Sequence, residues 1–583
     1  MRNLWKVGAL GAVFGAVLSA GGCSNFDAAF ENCQGEGRCG PQASGDGGTD
    51  AGDAGDGGDA GDGGDTKPPP CGDGGVDYPD LTGFDNNCDG IDGVADAGYF
   101  VDPEGGKDID NDGTRTQPFK TLARALQEIR DGGTGRNIVY LGTGTYNEPE
   151  PVVDMPVSLY GGYTWRGNGN PFWDRFKDGS GSTFFDGGTV AFTVGNVSDG
   201  EVVLDSLNIA SADGTSNSEP SIALRLKDSA AILLGNVTLE AGRGGGGARG
   251  RQGERGLDGG SGGNGGDGSD RRTIPGPAGQ GTCATSAGTP GGIGGQGNSG
   301  VAGYDGGVGT PNTAGGRGGP LISGSCSQYC QCIVPNGGIS GTVGVNGGTG
   351  SAGDAGSAGS GEGLIANGTW QANQGGTPGT AGRPGQGGGG GGAGGSCDAN
   401  AVDVASGGAG GGGGAGGCGG LGGEGGQGGG ASIAVLATNV HLRVLGTVSL
   451  TTKGGGEGGI GGEGGPGGLG GLGGQGGAFK LLTSKEVVTP PATARDYITE
   501  SGAGGDGGTG GTGGPGGSGG GGGGGPSVAL WCESVSFELD GGALSPHPGP
   551  GGAGGTSSAG PTGSTGSSLE YKGCVIPGLT GMP

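Results

Sequence analysis

Short phrases of alternating apolar and polar residues recur along the chain and resemble one another. SIALRL from Ser221, SIAVL from Ser432 and SVALW from Ser527 are each followed by a second alternating run, and EVVLDSLNI from Glu201 matches those second runs. Each phrase predicts two or three short strands separated by a polar corner or a glycine. One such rung cannot bury its own apolar face, so the phrases predict a stacked β-solenoid.

Between the phrases the pattern changes to a strict three-residue glycine period. Residues 457–478 read GGX throughout, and the same period runs through 415–427 and 506–518. A period of three fits neither an α-helix nor a pleated strand, but it fits an extended helix with three residues per turn. Packed threefold helices and disordered loops both remain open, because glycine loses the most backbone entropy on folding.

Composition divides the chain into segments. Of 583 residues 172 are glycine and only 30% are hydrophobic, so one compact core of that size is implausible. The net charge of −28 argues against nucleic acid as a partner. The predicted segments are a signal peptide (1–22), an acidic, proline-containing linker (23–70), a cysteine-bracketed acidic motif (71–100), the start of the solenoid (101–242), a glycine-rich insertion (243–430), further rungs with glycine-rich loops (431–545) and a glycine-rich tail (546–583).

The first residues indicate export. A short basic region precedes an apolar run too short to span a membrane stably, and AGGC ending at Cys23 resembles a bacterial lipobox. The resemblance implies that Cys23 is lipidated and holds the chain at the outer membrane or cell surface; a plain secretion signal is the alternative. The other twelve cysteines are candidates for disulfides in an oxidising compartment: Cys33, Cys39, Cys71, Cys88, Cys283, Cys326, Cys330, Cys332, Cys397, Cys418, Cys532 and Cys574. Cys33 with Cys39 and Cys71 with Cys88 are plausible local pairs.

The solenoid begins with an amphipathic segment. Phe119, Leu122, Ala123, Leu126 and Ile129 are predicted to share one helical face. Together with GTGTYNE at 142–148, this segment resembles the right-handed parallel β-helix family, which includes the pectate lyases. That resemblance implies an all-β fold with a capping N-terminal helix, and the glycine-rich insertions resemble those of PE-PGRS proteins. The fold supports both enzymes and binding proteins.

Two acidic segments are candidate cation sites. Asp85, Asn87, Asp89 and Asp92 place oxygen ligands around a glycine and resemble DNNCDG-type metal motifs of bacterial surface proteins. Calcium would be the cofactor, since it prefers six or more oxygen ligands; a solvated acidic turn held by Cys88 is the alternative. A weaker candidate with a similar beginning comprises Asp108, Asp110 and Asp112, for which a polar turn is favoured.

Candidate chemistry elsewhere is sparse. Tyr160, Tyr163, Trp165, Phe172, Trp173 and Phe176 gather within one short segment, where they are predicted to cover the first rungs rather than stack on sugars. The dispersed acids Asp186, Asp199, Asp205 and Asp228 do not form an identifiable pair, and no nucleophile–base motif is found.

The hypothesis is therefore a non-enzymatic lipoprotein for adhesion or envelope structure, with polysaccharide or other surface components as partners. A carbohydrate-active enzyme (polysaccharide lyase or glycosidase) is the alternative, and an ice- or surface-binding protein is a third possibility.

Overall fold

The computed structural model describes residues 77–132, 134–165, 172–176, 181–284, 286–323, 325–326, 330–332, 339–372, 375–398, 404–488 and 493–578. Cys23, Cys33, Cys39 and Cys71 lie outside these ranges, as does the predicted signal and linker region. Among the described residues no helix is both long and apolar enough to cross a membrane.

Parallel strands build a solenoid with three faces, which confirms the predicted parallel β-helix. The first face contains β4 (Val152–Val153), β8 (Val190–Gly195), the first halves of β11 (Ser221–Gly235), β19 (Ser432–Leu445) and β23 (Ser527–Leu539), and β25 (Ser568–Lys572). The second contains β1 (Gly98–Val101), β2 (Ile138–Gly142), β5 (Ser158–Trp165), β9 (Glu201–Asp205) and the second halves of β11, β19 and β23. The third contains β3 (Gly144–Tyr146), β7 (Thr183–Gly187), β10 (Asn208–Ser211), β12 (Thr238–Ala241), β20 (Thr447–Thr452) and β24 (Ala543–His547).

The phrases that resemble one another in sequence stack in register. Ser221 pairs with Ser432, and Ser432 with Ser527, so each phrase is one rung on top of the last. The corner between the first and second faces is occupied in successive rungs by Asp228, Asn439 and Ser534, all in the left-handed region with φ between 47° and 56°. Short polar side chains tolerate this conformation best, which explains the polar corners of the sequence pattern.

A helix closes the first end of the solenoid. α1 (Leu122–Arg130) begins after Thr121, whose side chain accepts a hydrogen bond from the Arg124 amide. Its buried side chains are Leu122, Ala125 and Leu126, which join the core of the first rungs. The predicted apolar face was therefore wrong at Ala123, which is exposed, and Phe119 precedes the helix as a separate buried contact.

The remaining strands are short additions to the solenoid and to its insertions. They are β6 (Trp173–Arg175), β13 (Ile322–Ser323), β14 (Ser325–Cys326), β15 (Cys330–Cys332), β16 (Leu364–Ala366), β17 (Thr369–Gln371), β18 (Cys397–Asp398), β21 (Leu481–Val488) and β22 (Thr493–Glu500). β21 and β22 form an antiparallel hairpin, and β6 pairs antiparallel with β5 on the second face.

All three long glycine-rich insertions leave the solenoid after a third-face strand and return to a first-face strand. They connect β12 to β19, β20 to β23 and β24 to β25. Their tracts do not form loops of free coil: backbone amides bond to carbonyls of neighbouring tracts at every third residue over most of their length. This is the hydrogen-bonding pattern of packed threefold helices, and it resolves the alternative that the sequence left open.

Candidate functional site

The glycine tracts form one side-by-side array, and residues 405–420 at its centre are all buried. The central tract, 404–430, exchanges backbone hydrogen bonds with six other tracts: 244–268, 273–281, 288–299, 375–396, 454–478 and 501–526. Neighbouring members of this ring also bond to each other, which is the arrangement of a hexagonal lattice. In tract 375–396, residues 387–396 are enclosed in the same way, by the central tract and by 288–299, 302–309, 314–320, 339–361 and 501–526.

Close packing explains why glycine is required there. A Cβ built on Gly412, Gly413 or Gly414 would lie 1.9–2.0 Å from a carbonyl oxygen of Pro277, Gly388 or Gly471 respectively. Real Cβ atoms essentially never come within 3.0 Å of a non-bonded heavy atom. Three successive residues thus meet three different neighbouring tracts, so no position in that stretch accepts a side chain larger than hydrogen without moving a tract.

The size of the third residue of each triplet depends on whether another tract packs against that side. Where neighbours surround the tract it is glycine or a small residue such as Ala409, Ala415 or Ala393, each fully buried. Where a side of the tract is open it becomes a larger exposed residue, as in the 454–478 tract, where Leu469 is 58% and Leu472 68% exposed. The side chains of the triplets therefore mark the surface of the array.

Polar side chains at the surface satisfy the outward-pointing backbone amides. Asp258 accepts a hydrogen bond from the Leu469 amide at 2.7 Å, Asn264 from Gln475 at 2.9 Å and Asp267 from Ala478 at 2.8 Å. Within the described residues these amides face no neighbouring tract that could accept their bonds, so the three side chains take that place and join the edges of the two tracts. The role of these three side chains is structural, and no local pattern indicated it because the partners lie 211 residues apart.

A buried ion cluster joins the acidic segment before β1 to the second face. The Arg175 guanidinium is nearly inaccessible; it bonds Asp205 through Nη2 and lies 3.7 Å from Asp92 through Nη1. Tyr160 and Tyr163 stand at 5.6 and 5.5 Å from the guanidinium carbon, ring centroid to Cζ. Burial raises the pKa of Asp92 to about 7, although the Arg175 charge opposes that shift. One arginine thus faces two carboxylates, a combination that sequence reasoning missed.

The predicted calcium motif splits into two parts. Asp85, Asn87 and Asp89 fold around their own turn: Asp85 accepts from the Gly90 amide at 2.7 Å and Asp89 from the Ala95 amide at 2.8 Å. Asp92 instead points to Arg175 and to the Asp80 amide. In the part of the chain that the structure describes, no group of three or more His, Cys, Asp or Glu side chains is arranged to hold a metal ion. Calcium binding here stays a prediction.

The second acidic segment serves local turns. Asp108 accepts from the Lys120 and Thr121 amides at 2.9 and 3.0 Å, and so fixes the approach to α1. Asp112 accepts from Thr114 at 2.7 Å through the hydroxyl, while Asp110 adopts a φ of 67°. These contacts are those of a polar turn before the capping helix.

The aromatic residues divide between burial and exposure. Tyr163 and Trp173 are buried with Phe100 and Tyr140 in a cluster on the outside of the second face, and Tyr160 and Trp165 pack against it. Phe172 and Phe176 are 53% and 40% exposed. The prediction that these aromatics cover the first rungs therefore holds for four of the six.

A polar group on the second face brings residues from different rungs together. Nδ1 of His441 lies 2.8 Å from Ser536 Oγ, and its Nε2 lies 3.5 Å from Glu538 Oε2. Arg443 bonds Glu201 and Asp540, each at 2.7 Å. Burial alone would lower the pKa of Arg443, but the bonds and charges of Glu201 and Asp540 outweigh it, so the pKa is raised. The carboxylates here converge on an arginine.

The dispersed acids do not join this group. Asp205 lies in the Arg175 cluster, and Asp228 accepts a hydrogen bond from Asn439 at 3.1 Å in the corner stack. Asp199 accepts one from the adjacent Ser198 at 3.4 Å. None of these three contacts places two of the dispersed acids together.

Two disulfides are fully described. Cys283 bonds Cys418 and so ties the end of the 273–281 tract to the central tract across 135 residues. Cys532 bonds Cys574 across 42 residues and closes the last rung. Cys88 and Cys397 are also disulfide-bonded. Cys330 and Cys332 share β15, and Cys326 is in the neighbouring β14.

Comparison with known proteins gives one match. Residues 104–241, which include α1 and the first rungs, match a family of proteins of unknown function, DUF1565, that is associated with parallel β-helix proteins. No curated protein and no solved structure matches the chain. The chain therefore resembles DUF1565 proteins over its first rungs, and that family carries no assigned activity.

Proposed function

We propose that the chain is a non-enzymatic surface lipoprotein that acts in adhesion or as an envelope scaffold. The observation that carries this proposal is the array itself, in which the middle of the central tract has hydrogen-bonded neighbours on all six sides. A lattice of backbone bonds provides a rigid platform, and its surface residues recur every third position. Regular, shallow surfaces suit many weak contacts that gain strength from repetition rather than one deep pocket.

Placement at the cell surface follows from the N-terminal resemblance. Lipid on Cys23 would fix the chain to a membrane, and the acidic linker would extend because its charges repel. Disulfides that cross-link glycine tracts fit an oxidising compartment outside the cytoplasm. These features support export; polysaccharides and other envelope components are the partners that a platform in this location would meet.

A carbohydrate-active enzyme is the second candidate because carboxylates of separate rungs do converge on the second face. Glu201 of one rung and Glu538 and Asp540 of another lie beside Arg443, and such a group resembles the acids and bases that cleave polysaccharides. Each of these carboxylates is paired with a cation, which favours a structural ion network over a general acid held protonated.

The experiment separates the two candidates on the full exported chain. The purified protein is incubated with pectins, alginates, glycosaminoglycans and envelope polysaccharides. Both binding and the release of reducing ends or unsaturated products are measured. The proposal expects binding without turnover, and equal binding by Glu538→Gln. Turnover that Glu538→Gln or Arg443→Met abolishes would replace it with the enzymatic alternative. If the chain binds no surface component and cells that display it do not adhere, both candidates are refuted.

A further inference from the structure

A small hairpin interrupts the glycine array beside the first face of the solenoid. Its strands, β16 and β17, pair with each other and with no other described strand. Asn367 and Gly368 between them have φ of 54° and 68°. Positive φ at both turn positions is typical of the tight type I′ hairpin. We call residues 362–372, which contain this hairpin, the strap.

The strap joins two tracts that do not run into a solenoid strand. Four other tracts do so directly: 244–268 at β12, 404–430 at β19, 454–478 at β20 and 501–526 at β23. Tracts 339–361 and 375–396 instead reach the strap, one from each side. The inner ends of these two tracts, nearest the solenoid, therefore depend for their position on the strap and on neighbouring tracts.

One side of the strap is buried on the first face. Trp370 is 2% exposed and packs with five side chains of three rungs: Ile222 of β11, Ile433 and Leu436 of β19, and Val528 and Trp531 of β23. This cluster, the seat, is separate from the core of the solenoid, and Ile365 and Ala372 of the strap also pack against it. Removal of this apolar surface from water is the main force that holds the strap down.

Contacts at the two ends extend the strap across the face. At its start Glu362 Oε2 lies 3.6 Å from Nζ of Lys572 on β25, and this Nζ is 4.1 Å from the ring centroid of Trp531. At the turn a Cβ built on Gly368 would lie 3.2 Å from Thr438 Oγ1 and 3.5 Å from Lys227 Cβ. The strap thus crosses the first-face strands β25, β23, β19 and β11.

Three features indicate that the strap can open. A two-stranded hairpin is at best marginally stable alone, so its structure depends on the seat. Within the described residues Trp370 Nε1 is buried without a hydrogen-bond partner, and opening would give this donor water to bond. Leu364, in contrast, is 51% exposed and adds little to closure. A segment held mainly by one buried side chain opens as a unit.

We propose that the strap is a releasable clamp for the edge of the array. When closed, it fixes the inner ends of tracts 339–361 and 375–396 on the first face. When it opens, those ends fray, because a threefold helix has no internal hydrogen bonds to preserve it. Bonds such as that from the Thr377 amide to the Ser357 carbonyl, 3.0 Å long, are then lost first. This device goes beyond the proposed function, since it exists whether or not the platform binds polysaccharide.

Hydrogen exchange followed by mass spectrometry on the full chain tests the clamp. Three regions are compared: the strap, the inner ends at 354–361 and 375–380, and the buried centre at 405–414. Trp370→Ala empties the seat and should accelerate exchange of the strap and of both inner ends by about tenfold or more. The centre should exchange as in wild type, which shows that the variant is folded. Leu364→Ala is the matched control in the same strap and should leave all three regions unchanged.

Trp370→Phe separates the seat from general destabilisation. It keeps an aromatic ring in the seat, so the strap and the inner ends should both exchange at rates between those of wild type and Trp370→Ala. Inner ends that do not change together with the strap across these variants would overturn the proposal. So would random-coil exchange of the strap in wild type, which would show that it is not closed. Equal acceleration by Leu364→Ala would also overturn it, because the seat would then not be the cause.

Discussion

Gly413 offers the sharpest test of the array, because it lies in the enclosed centre and has no special backbone angle. Gly413→Ala would place a methyl group 2.0 Å from the Gly388 carbonyl oxygen, so the central tract and tract 375–396 would have to separate. Separation strains three backbone hydrogen bonds of 2.8 Å. The Gly413 amide donates to the Gly292 carbonyl, the Gly279 amide to the Gly413 carbonyl, and the Gly388 amide to the Gly414 carbonyl.

The cost can be estimated from these contacts. Overpacking costs about 1–3 kcal/mol, and each lost hydrogen bond about 0.5–1.5 kcal/mol. Against this, replacing glycine by alanine stabilises by about 0.4–1 kcal/mol through the unfolded chain. With all three bonds lost, Gly413→Ala should therefore lower the free energy of local opening by about 1.5–7 kcal/mol, which raises amide exchange by about 10-fold or more.

Hydrogen exchange followed by mass spectrometry over residues 404–430 measures this effect. Gly348→Ala is the matched control, since its new methyl group meets only the flexible end of the Gln386 side chain, at 3.2 Å. The control should exchange like wild type or slightly more slowly. Equal exchange in both variants, or random-coil exchange of this tract in wild type, would refute the close-packed lattice.

Three further predictions concern the buried acid, a disulfide and the N terminus. The pKa of Asp92 is about 7 in the folded chain against 3.8 for an unperturbed aspartate. Stability should therefore fall as pH rises from about 4 to about 7, by a few kcal/mol at most. Asp92→Asn should flatten that pH dependence in thermal unfolding, and an unchanged pH dependence would count against the cluster. Removing the Cys283–Cys418 bond with paired alanines should cost up to about 5 kcal/mol by chain entropy, measured by denaturant unfolding, and no loss would contradict a structural role. Labelled fatty acid should be incorporated into the wild-type protein but not into Cys23→Ala. Equal labelling of the two would contradict lipidation at Cys23.

The calcium prediction needs a test of its own. Titration calorimetry on the full chain with millimolar calcium should give heat that Asp85→Asn/Asp89→Asn abolishes, since those carboxylates are the common partners of the acidic turn. Heat that persists in the variant would place calcium elsewhere. No heat in wild type would leave the turn as the hydrogen-bonded loop that the backbone amides already complete.

Local patterns were enough to predict the repeating parts. Alternation in the phrases from Ser221, Ser432 and Ser527 predicted strands with polar corners between them, and the structure places those corners in the left-handed conformation at Asp228, Asn439 and Ser534. The apolar spacing before Gly132 indicated the capping helix, although the buried position is Ala125 and not Ala123. These features depend on residues close in sequence, so the sequence alone contains their physical cause.

What the tertiary structure decided is the partnership of distant segments. A glycine triplet has the same local preferences whether it is enclosed or exposed, and only the lattice shows that Gly413 meets Gly388 while Leu472 meets solvent. The Arg175 cluster likewise joins Asp92 to Asp205, two acids whose spacing in sequence carries no signal. The glycine content allows the tracts to approach one another closely. They do so because an extended threefold helix has no internal backbone hydrogen bonds and must make them with its neighbours. Those neighbours lie up to 210 residues apart in sequence.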